Sequence, residues 1–537
     1  MQNKIDLLKV EMARKLHLTK LPKNTELLIN NPELNIKSKP SRTISGVAPV
    51  AIMTMPMKCP HGTCTFCPGG PGSYFGDVPQ SYTGNEPASM RAIRNNFDPY
   101  LQVFNRLEQY ALLNHNFSKC EVIIMSGTFL SAPKNYIEDF MKYTYKAFND
   151  FSELFFIDDK FQFDKFREFF ELNNNFKDLG RIKRVQEKLI NIKGECNLEE
   201  EKLKNEKTKC RVVALCIETK PDWGKEEHIN ELLRLGTTRV EIGAQSLHDE
   251  ALKITNRGHT VQDTIESTQL LKDSFLKVTY HMMPGLPLSD HEKDINMFKE
   301  LFSNSNFKPD SLKIYPCLVM PGTGLYGLWK LGRFTPITLE EAADIISEVK
   351  KYIPKYVRIM RIQRDIPTKV TAAGVNRTNL RQYVDEQVKE KKIKCNCIRC
   401  REPRGREIDW GNVKILHEEY EASNGREIFI SAEDIKNDIL LGFVRLRIPY
   451  KPFRPEITKD SAGIRELHVY GTATALDKEG EVQHKGLGKK LLLEAENIAK
   501  EKYNIKKLLV ISGIGVREYY RNLGYKNDGV YVSKNLG

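Results

Sequence analysis

Three cysteines within nine residues constrain this chain more than any other feature. They are Cys59, Cys64 and Cys67, in the run Lys58-Cys59-Pro60-His61-Gly62-Thr63-Cys64-Thr65-Phe66-Cys67-Pro68-Gly69-Gly70. Three close thiolates can hold three irons of a four-iron, four-sulfur (4Fe-4S) cluster. An electron-transfer cluster takes a fourth cysteine, and none follows nearby. A three-ligand cluster leaves one iron open to a substrate. Phe66 can shield such a cluster, and Gly69 and Gly70 let backbone approach closely. The spacing alone also suits a zinc knuckle short of one ligand or a half-used disulfide, so the rest of the chain has to decide.

At 537 residues the chain has room for about three domains. Its N-terminus carries no apolar signal core, and no uncharged apolar run approaches membrane length. A cytoplasmic protein with no membrane partner is expected. In a reducing compartment the clustering of its 11 cysteines means metals and not disulfides. Cys120 and Cys216 sit in apolar strands and read as ordinary buried thiols. The net charge of +13 is not spread evenly. Residues 1–45 carry nine basic against four acidic side chains, and residues 351–410 carry sixteen against seven. A surplus confined to two segments is the footprint of a polyanion partner.

In chain order, Leu7, Leu8, Met12 and Leu16 give the basic segment 1–45 a short amphipathic helix, followed by loops broken at Pro22, Pro32 and Pro40. From residue 46 to 340, apolar strands alternate with helices. Strands ending in Ser126-Gly127-Thr128, Glu218-Thr219-Lys220, Gly243-Ala244-Gln245 and Pro284-Gly285 repeat the pattern. This predicts an α/β fold, a partial or full (β/α) barrel with ligands at the C-terminal strand ends. Residues 160–209 interrupt it with mixed charge and helical spacing, and read as a helical insertion. Residues 341–410 read as helices and a basic linker. There Cys395, Cys397 and Cys400 suit tetrahedral zinc with a ligand from elsewhere, for which Cys317 is the candidate and His417 the second choice.

Residues 411–537 change character. Strands 427–431, 440–448 and 464–470 lead to Gln483-His484-Lys485-Gly486-Leu487-Gly488, which opens a long helix. A strand over 508–512 and a short helix bearing Tyr519 and Tyr520 follow. Backbone N–H groups at such a helix start suit a pyrophosphate, and the strand Glu466-Leu467-His468-Val469 can bond an amide-bearing arm. Together these suit coenzyme A.

These blocks resemble known families. The cysteine loop and the strand ends at Gly127 and Gln245 look like a radical S-adenosylmethionine (SAM) core. The Q-x-x-G-x-G loop looks like a GNAT acetyltransferase. Joined in this order, with Gln80-Ser81-Tyr82-Thr83-Gly84, Asn256-Arg257-Gly258-His259-Thr260 and Gln363-Arg364-Asp365-Ile366-Pro367, they resemble the Elongator catalytic-subunit family of wobble-uridine tRNA modification enzymes. The resemblance implies a cluster on Cys59, Cys64 and Cys67 that cleaves SAM to a 5′-deoxyadenosyl radical. That radical takes hydrogen from the acetyl-CoA methyl, the carbon radical adds to carbon 5 of the wobble uridine, and hydrolysis from coenzyme A leaves a carboxymethyl group. It implies SAM contacts at Gly127, Thr128, Glu218 and Gln245. Acetyl-CoA contacts fall at Lys119, Glu466, Leu467, His468, Val469, Gln483, Lys485, Gly486, Leu487 and Gly488, with Tyr519 or Tyr520 as the catalytic tyrosine. The partners implied are the tRNA anticodon stem-loop, met by residues 1–45 among others, and accessory Elongator-like subunits or further copies of the chain. Ser126 departs from the common pattern, where glycine is usual, and the four-residue gap between Cys59 and Cys64 departs from the three of most radical SAM proteins, although loop length there varies within the Elongator family. Two other readings use fewer features: a protein lysine acetyltransferase with Glu466 or Glu518 as base, and a non-catalytic tRNA-binding scaffold.

Overall fold

The apolar runs that read as buried strands pair side by side in the computed structural model, which describes residues 2–537 except 16, 18, 31–33, 35–42, 44, 173–177, 179 and 472–485. Seven parallel strands follow one another without reordering: β1 (Ala48–Met53), β2 (Lys119–Met125), β3 (Arg211–Thr219), β4 (Arg239–Gln245), β5 (Lys277–Met282), β6 (Ser311–Ile314) and β7 (Arg358–Arg361). Helices cross between them, so the sheet curls into a half-barrel. The α/β expectation holds, with the barrel partial. Its last strand comes from the 341–410 segment, so the sheet runs past residue 340.

A second seven-stranded sheet follows: β8 (Val413–Ala422), β9 (Gly425–Asp434), β10 (Ile439–Ile448), β11 (Ser461–Val469), β12 (Lys507–Val510), β13 (Lys526–Asp528) and β14 (Tyr531–Asn535). It is antiparallel except at β11 and β12, which run parallel and pair only from Ser461 to Ile464. Beyond Ile464 they part, which leaves Arg465–Val469 with an open edge. The helix Leu487–Asn497 packs on this sheet through Leu487, Leu491, Leu492 and Ala495.

The two sheets are welded through a buried ion network. Arg465 donates to Asp310 at 2.6 and 2.9 Å, to Glu427 at 2.9 and 3.0 Å and to the Leu276 carbonyl at 2.8 Å. Arg447 reaches Asp273 and Glu427, and Lys272 completes the cluster. Backbones approach closely here too, because a Cβ on Gly513 would lie 2.1 Å from the Val213 carbonyl oxygen. The 160–209 stretch opens on a short strand, Lys160–Phe161, paired with Phe156–Ile157, and then carries the helices Phe163–Phe169, Arg181–Lys193 and Leu198–Asn205. Just C-terminal to its last helix, Glu206 accepts from Arg521 at 2.6 Å, so this stretch also braces the second sheet.

Two local expectations fail. The N-terminal helix Gln2–Lys15 turns Ile5, Leu8 and Met12 onto Leu27 and Leu28, while Leu7 is 70% exposed. Leu16 lies outside the described residues. The stretch after Pro22 is a second helix, Asn24–Asn30, and not a loop, because proline ahead of a helix costs no hydrogen bond. Among the described residues no helix is long and apolar enough to cross a membrane.

Candidate functional site

The cysteine loop follows β1 and lies across the C-terminal ends of the half-barrel strands. Cys59, Cys64 and Cys67 wall a cavity there together with Gly127, Glu218, Gln245, Arg257 and Lys313. Cys64 Sγ accepts from Arg257 Nη1 at 3.2 Å and lies 3.2 Å from His61 Nε2. Cys67 Sγ takes the Ser81 N–H at 3.2 Å and donates to Gln80 Oε1 at 3.0 Å. Burial, then repulsion from Cys67 and Cys64, pushes the Cys59 thiol up to about 11. The three sulfurs do not all lie within 4.8 Å of one another, as those of Cys395, Cys397 and Cys400 do. That wider spacing suits a cluster in which each thiolate binds a different iron.

Of the residues assigned to SAM, Gly127, Glu218 and Gln245 line the same cavity and Thr128 does not. A Cβ on Gly127 would sit 2.8 Å from Cys59 Sγ and 2.7 Å from Gln80 Cβ, so only glycine fits. Thr128 stands beside Cys59 on the far side of the loop. Gln245 has φ +67°, costly for a side chain with a Cβ. Its buried Oε1 has no hydrogen-bond partner. A strained backbone that aims an orphaned acceptor into a cavity suits a polar ligand such as SAM. Glu218 accepts from the Tyr82 hydroxyl at 2.8 Å and stands 3.5 Å from Lys313. Lys313 also pairs with Glu241, which takes a further contact from His281 Nε2 at 2.8 Å. Burial opposes charge on Lys313, but Glu241 and the neighbouring acids outweigh it and hold the ammonium protonated.

The second assigned group forms its own cavity where β11 and β12 part. Glu466, Leu467 and His468 line it with Tyr520 and Ser512, and its opposite wall is the N-terminal edge of the half-barrel: Glu121, Arg239, Lys277 and Arg358. Tyr520 is buried, whereas Tyr519 is 39% exposed, with its hydroxyl 3.1 Å from the position of a Cβ on Gly488. The structure thus sends one tyrosine into the cavity and the other to the helix start at Gly486, Leu487 and Gly488. Val469 is the last residue of the open strand. Gln483 and Lys485 lie outside the described residues. Lys119 opens β2 close enough for its charge to depress His468, which burial chiefly lowers to about 4. Burial pushes Glu466 up, yet Lys277 at 2.5 Å and Arg445 at 2.9 Å outweigh it and hold the carboxylate at about 2. A base so engaged is poor at taking a lysine proton. Glu518 is bound to Arg521 at 2.9 Å outside the cavity.

Cys395, Cys397 and Cys400 come together and could bind a metal. Cys317 does not join them. It is wholly buried in an apolar cluster with Cys64, Phe66, Cys67 and Leu286, and its N–H bonds Pro284. The second choice, His417, lies instead 3.0 Å from Glu494. Among the described residues no fourth His, Cys, Asp or Glu completes the triad. The surrounding charge is partly spent inside the fold, because Arg401 pairs with Asp438 and Glu433, and Arg358 with Glu402. Arg399 is held down to about 10, by burial and then by Arg381 and Arg404, so an excess of positive charge remains there.

Comparison with known proteins agrees with both halves. The Radical SAM superfamily model matches residues 53–298, the Radical_SAM C-terminal domain residues 309–390, and the Acetyltransferase (GNAT) family residues 398–525. The chain is 49% identical over 510 residues to a tRNA uridine(34) acetyltransferase of Methanocaldococcus infernus, covering 93% of this chain and 88% of that protein. It is 40% identical to Elongator complex protein 3 of Schizosaccharomyces pombe, covering 99% and 95%. The chain belongs to this Elongator catalytic-subunit family. A solved structure of the family, the archaeal Methanocaldococcus infernus Elp3 with an N-terminal deletion (1–46), superposes with a TM-score of 0.75 at 44% identity, over 92% of this chain and 100% of that one. The sequence singles out the motifs around Arg257, Tyr82 and Arg364 but gives them no role. The structure turns Arg257 onto Cys64 and brings Tyr82 and Arg364 into the cysteine-walled cavity, the upper of the two, the one between β11 and β12 being the lower.

Proposed function

We propose that this chain modifies the wobble uridine of tRNA, using SAM to activate the methyl of acetyl-CoA for attachment at carbon 5 of the base, giving carboxymethyluridine. The observation that carries the reading is the placement of two cavities at opposite ends of one half-barrel, one walled by three cysteines and one by the parted GNAT strands. Cys59, Cys64 and Cys67 would hold a 4Fe-4S cluster, which would supply the electron for cleavage of SAM. Arg257 and the Ser81 N–H offset thiolate charge, and Gly127 keeps the approach to Cys59 open. Gln245 and Glu218 hold polar groups of SAM, whereas Thr128 stands behind Cys59, outside that cavity. The open backbone edge of Glu466–Val469 binds the amide-bearing arm of acetyl-CoA. Gly486, Leu487 and Gly488, together with Gln483 and Lys485, bind its pyrophosphate. Tyr520 and, from the other domain, Lys119 would meet the thioester end, and in this reading both domains share one ligand.

Arg361 and Arg364 stand over the upper cavity, and the surplus at Arg381, Arg399 and Arg404 suits phosphates flanking an entering nucleotide. Cys395, Cys397 and Cys400 hold a structural zinc in this reading. The test is anaerobic reconstitution with iron and sulfide, then incubation with SAM, acetyl-CoA, reductant and tRNA. Carboxymethyluridine and 5′-deoxyadenosine are expected, and the absence of both from cluster-loaded protein rejects the reading.

A further inference from the structure

The interior of the half-barrel is unlike the packed aliphatic core that fills an ordinary parallel barrel. Alternate residues of a strand share a face. On β4, Arg239 lines the lower cavity and Glu241 the upper one. On β5, Lys277 lines the lower cavity and His281 the upper, with Thr279 between them on the same face. Thr279 Oγ1 meets Ser311 Oγ of β6 at 2.5 Å. Thr279 and Ser311, both wholly buried, thus lie between the two cavities on this face.

Arg239 stands in the wall of the lower cavity that faces the half-barrel interior. It is 2% exposed. Nη2 lies 2.9 Å from Glu121 and Nη1 3.3 Å from Glu241, and Nη1 donates to the Met360 sulfur at 2.8 Å. Yet Nε and Nη2 make no aligned hydrogen bond, and Glu241 Oε1 has none either. A buried guanidinium neutralised by two carboxylates but left with free donors is costly unless a ligand takes them. What enters from that side is the acyl end of whatever lies between β11 and β12. Its carbonyl oxygen is an acceptor that suits a planar fork of donors.

We infer that Arg239 binds the acyl carbonyl oxygen of a thioester held in the lower cavity. This rests on the proposed function only for the identity of the thioester. Glu121 and Glu241 compete for the guanidinium and set how readily it turns to the ligand. Lys313, above Glu241, continues the line of charge to the cysteine-walled cavity.

The test is binding of two probes by calorimetry on the full chain without SAM, iron or tRNA. The probes are coenzyme A and the ketone analogue of acetyl-CoA with a methylene in place of sulfur. The wild type should prefer the analogue by about tenfold, the worth of one charge-assisted hydrogen bond. Arg239→Lys keeps the buried cation and should bring that ratio to about one. Glu121→Gln frees the guanidinium and should raise the ratio, so the inference stays testable if Arg239→Lys does not fold. A ratio unchanged in both variants, or near one in the wild type, overturns it. Because neither SAM nor tRNA is present, failure of uridine modification in the wild type would reject the proposed function without touching this result.

Discussion

Replacing Arg465 by Met removes the centre of the ion network that joins the two sheets. Arg465 is wholly buried and makes four bonds to the carboxylates of Asp310 and Glu427. Its loss leaves those carboxylates facing each other, with Lys272 at 3.4–3.8 Å and Arg445 and Arg447 as remaining cations. Breaking a buried pair by removing one partner costs about 3–5 kcal/mol. The remaining cations place the expectation at the lower end, about 3 kcal/mol. Denaturant unfolding followed by tryptophan fluorescence and circular dichroism should show this loss, and the two domains should begin to unfold in separate steps. The pH dependence has a definite sign. Burial opposes charge on Asp310, but Arg465 and Lys272 hold its folded carboxyl far below the usual range. Its stabilisation is therefore full above the unfolded value of about 3.9 and drains as pH falls below it. The variant should lose less between pH 5 and pH 3 than the wild type does. A destabilisation under about 1 kcal/mol at neutral pH, with an unchanged acid limb, would refute the claim that this network welds the domains.

Cys64→Ser should prevent cluster loading, read as iron content after anaerobic reconstitution, while affinity for coenzyme A stays within about twofold. Gly127→Ala puts a carbon 2.8 Å from Cys59 Sγ and 2.7 Å from Gln80 Cβ, and should lower iron incorporation severalfold with a fall in melting temperature of a few degrees. Gln245→Leu removes the orphaned acceptor and should weaken SAM binding by about tenfold in equilibrium dialysis. Treatment with a zinc chelator should lower the melting temperature of the wild type by several degrees, and Cys397→Ser should abolish the effect.

How much of this was legible in the sequence followed the range of the interaction. The strands of the half-barrel were readable because apolar runs such as Val278–Met282 are buried on both faces, and their polar ends mark the ligand side. The cysteine loop was readable because its ligands are local. Cys317 was misassigned because a cysteine count says nothing of where a chain returns. Met283 and Leu286 draw it to the upper cavity, away from Cys395. The contacts of Arg257 with Cys64 and of Arg239 with Glu121 span more than one hundred residues, and no spacing rule reaches that far. Leu7 was placed inside because helical period alone cannot fix which of two adjacent leucines faces the partner helix. The opposition of the two cavities was invisible too, since it depends on which edge of the first sheet meets the second.

The central claim is that both cavities serve one reaction. Trideuteroacetyl-CoA, SAM, reductant and tRNA incubated with the cluster-loaded chain test it most directly, by mass spectrometry of the 5′-deoxyadenosine released. The account predicts 5′-deoxyadenosine carrying one deuterium, with the remaining label retained on carboxymethyluridine in the tRNA. Unlabelled 5′-deoxyadenosine, formed at the same rate whether or not acetyl-CoA is present, would contradict it.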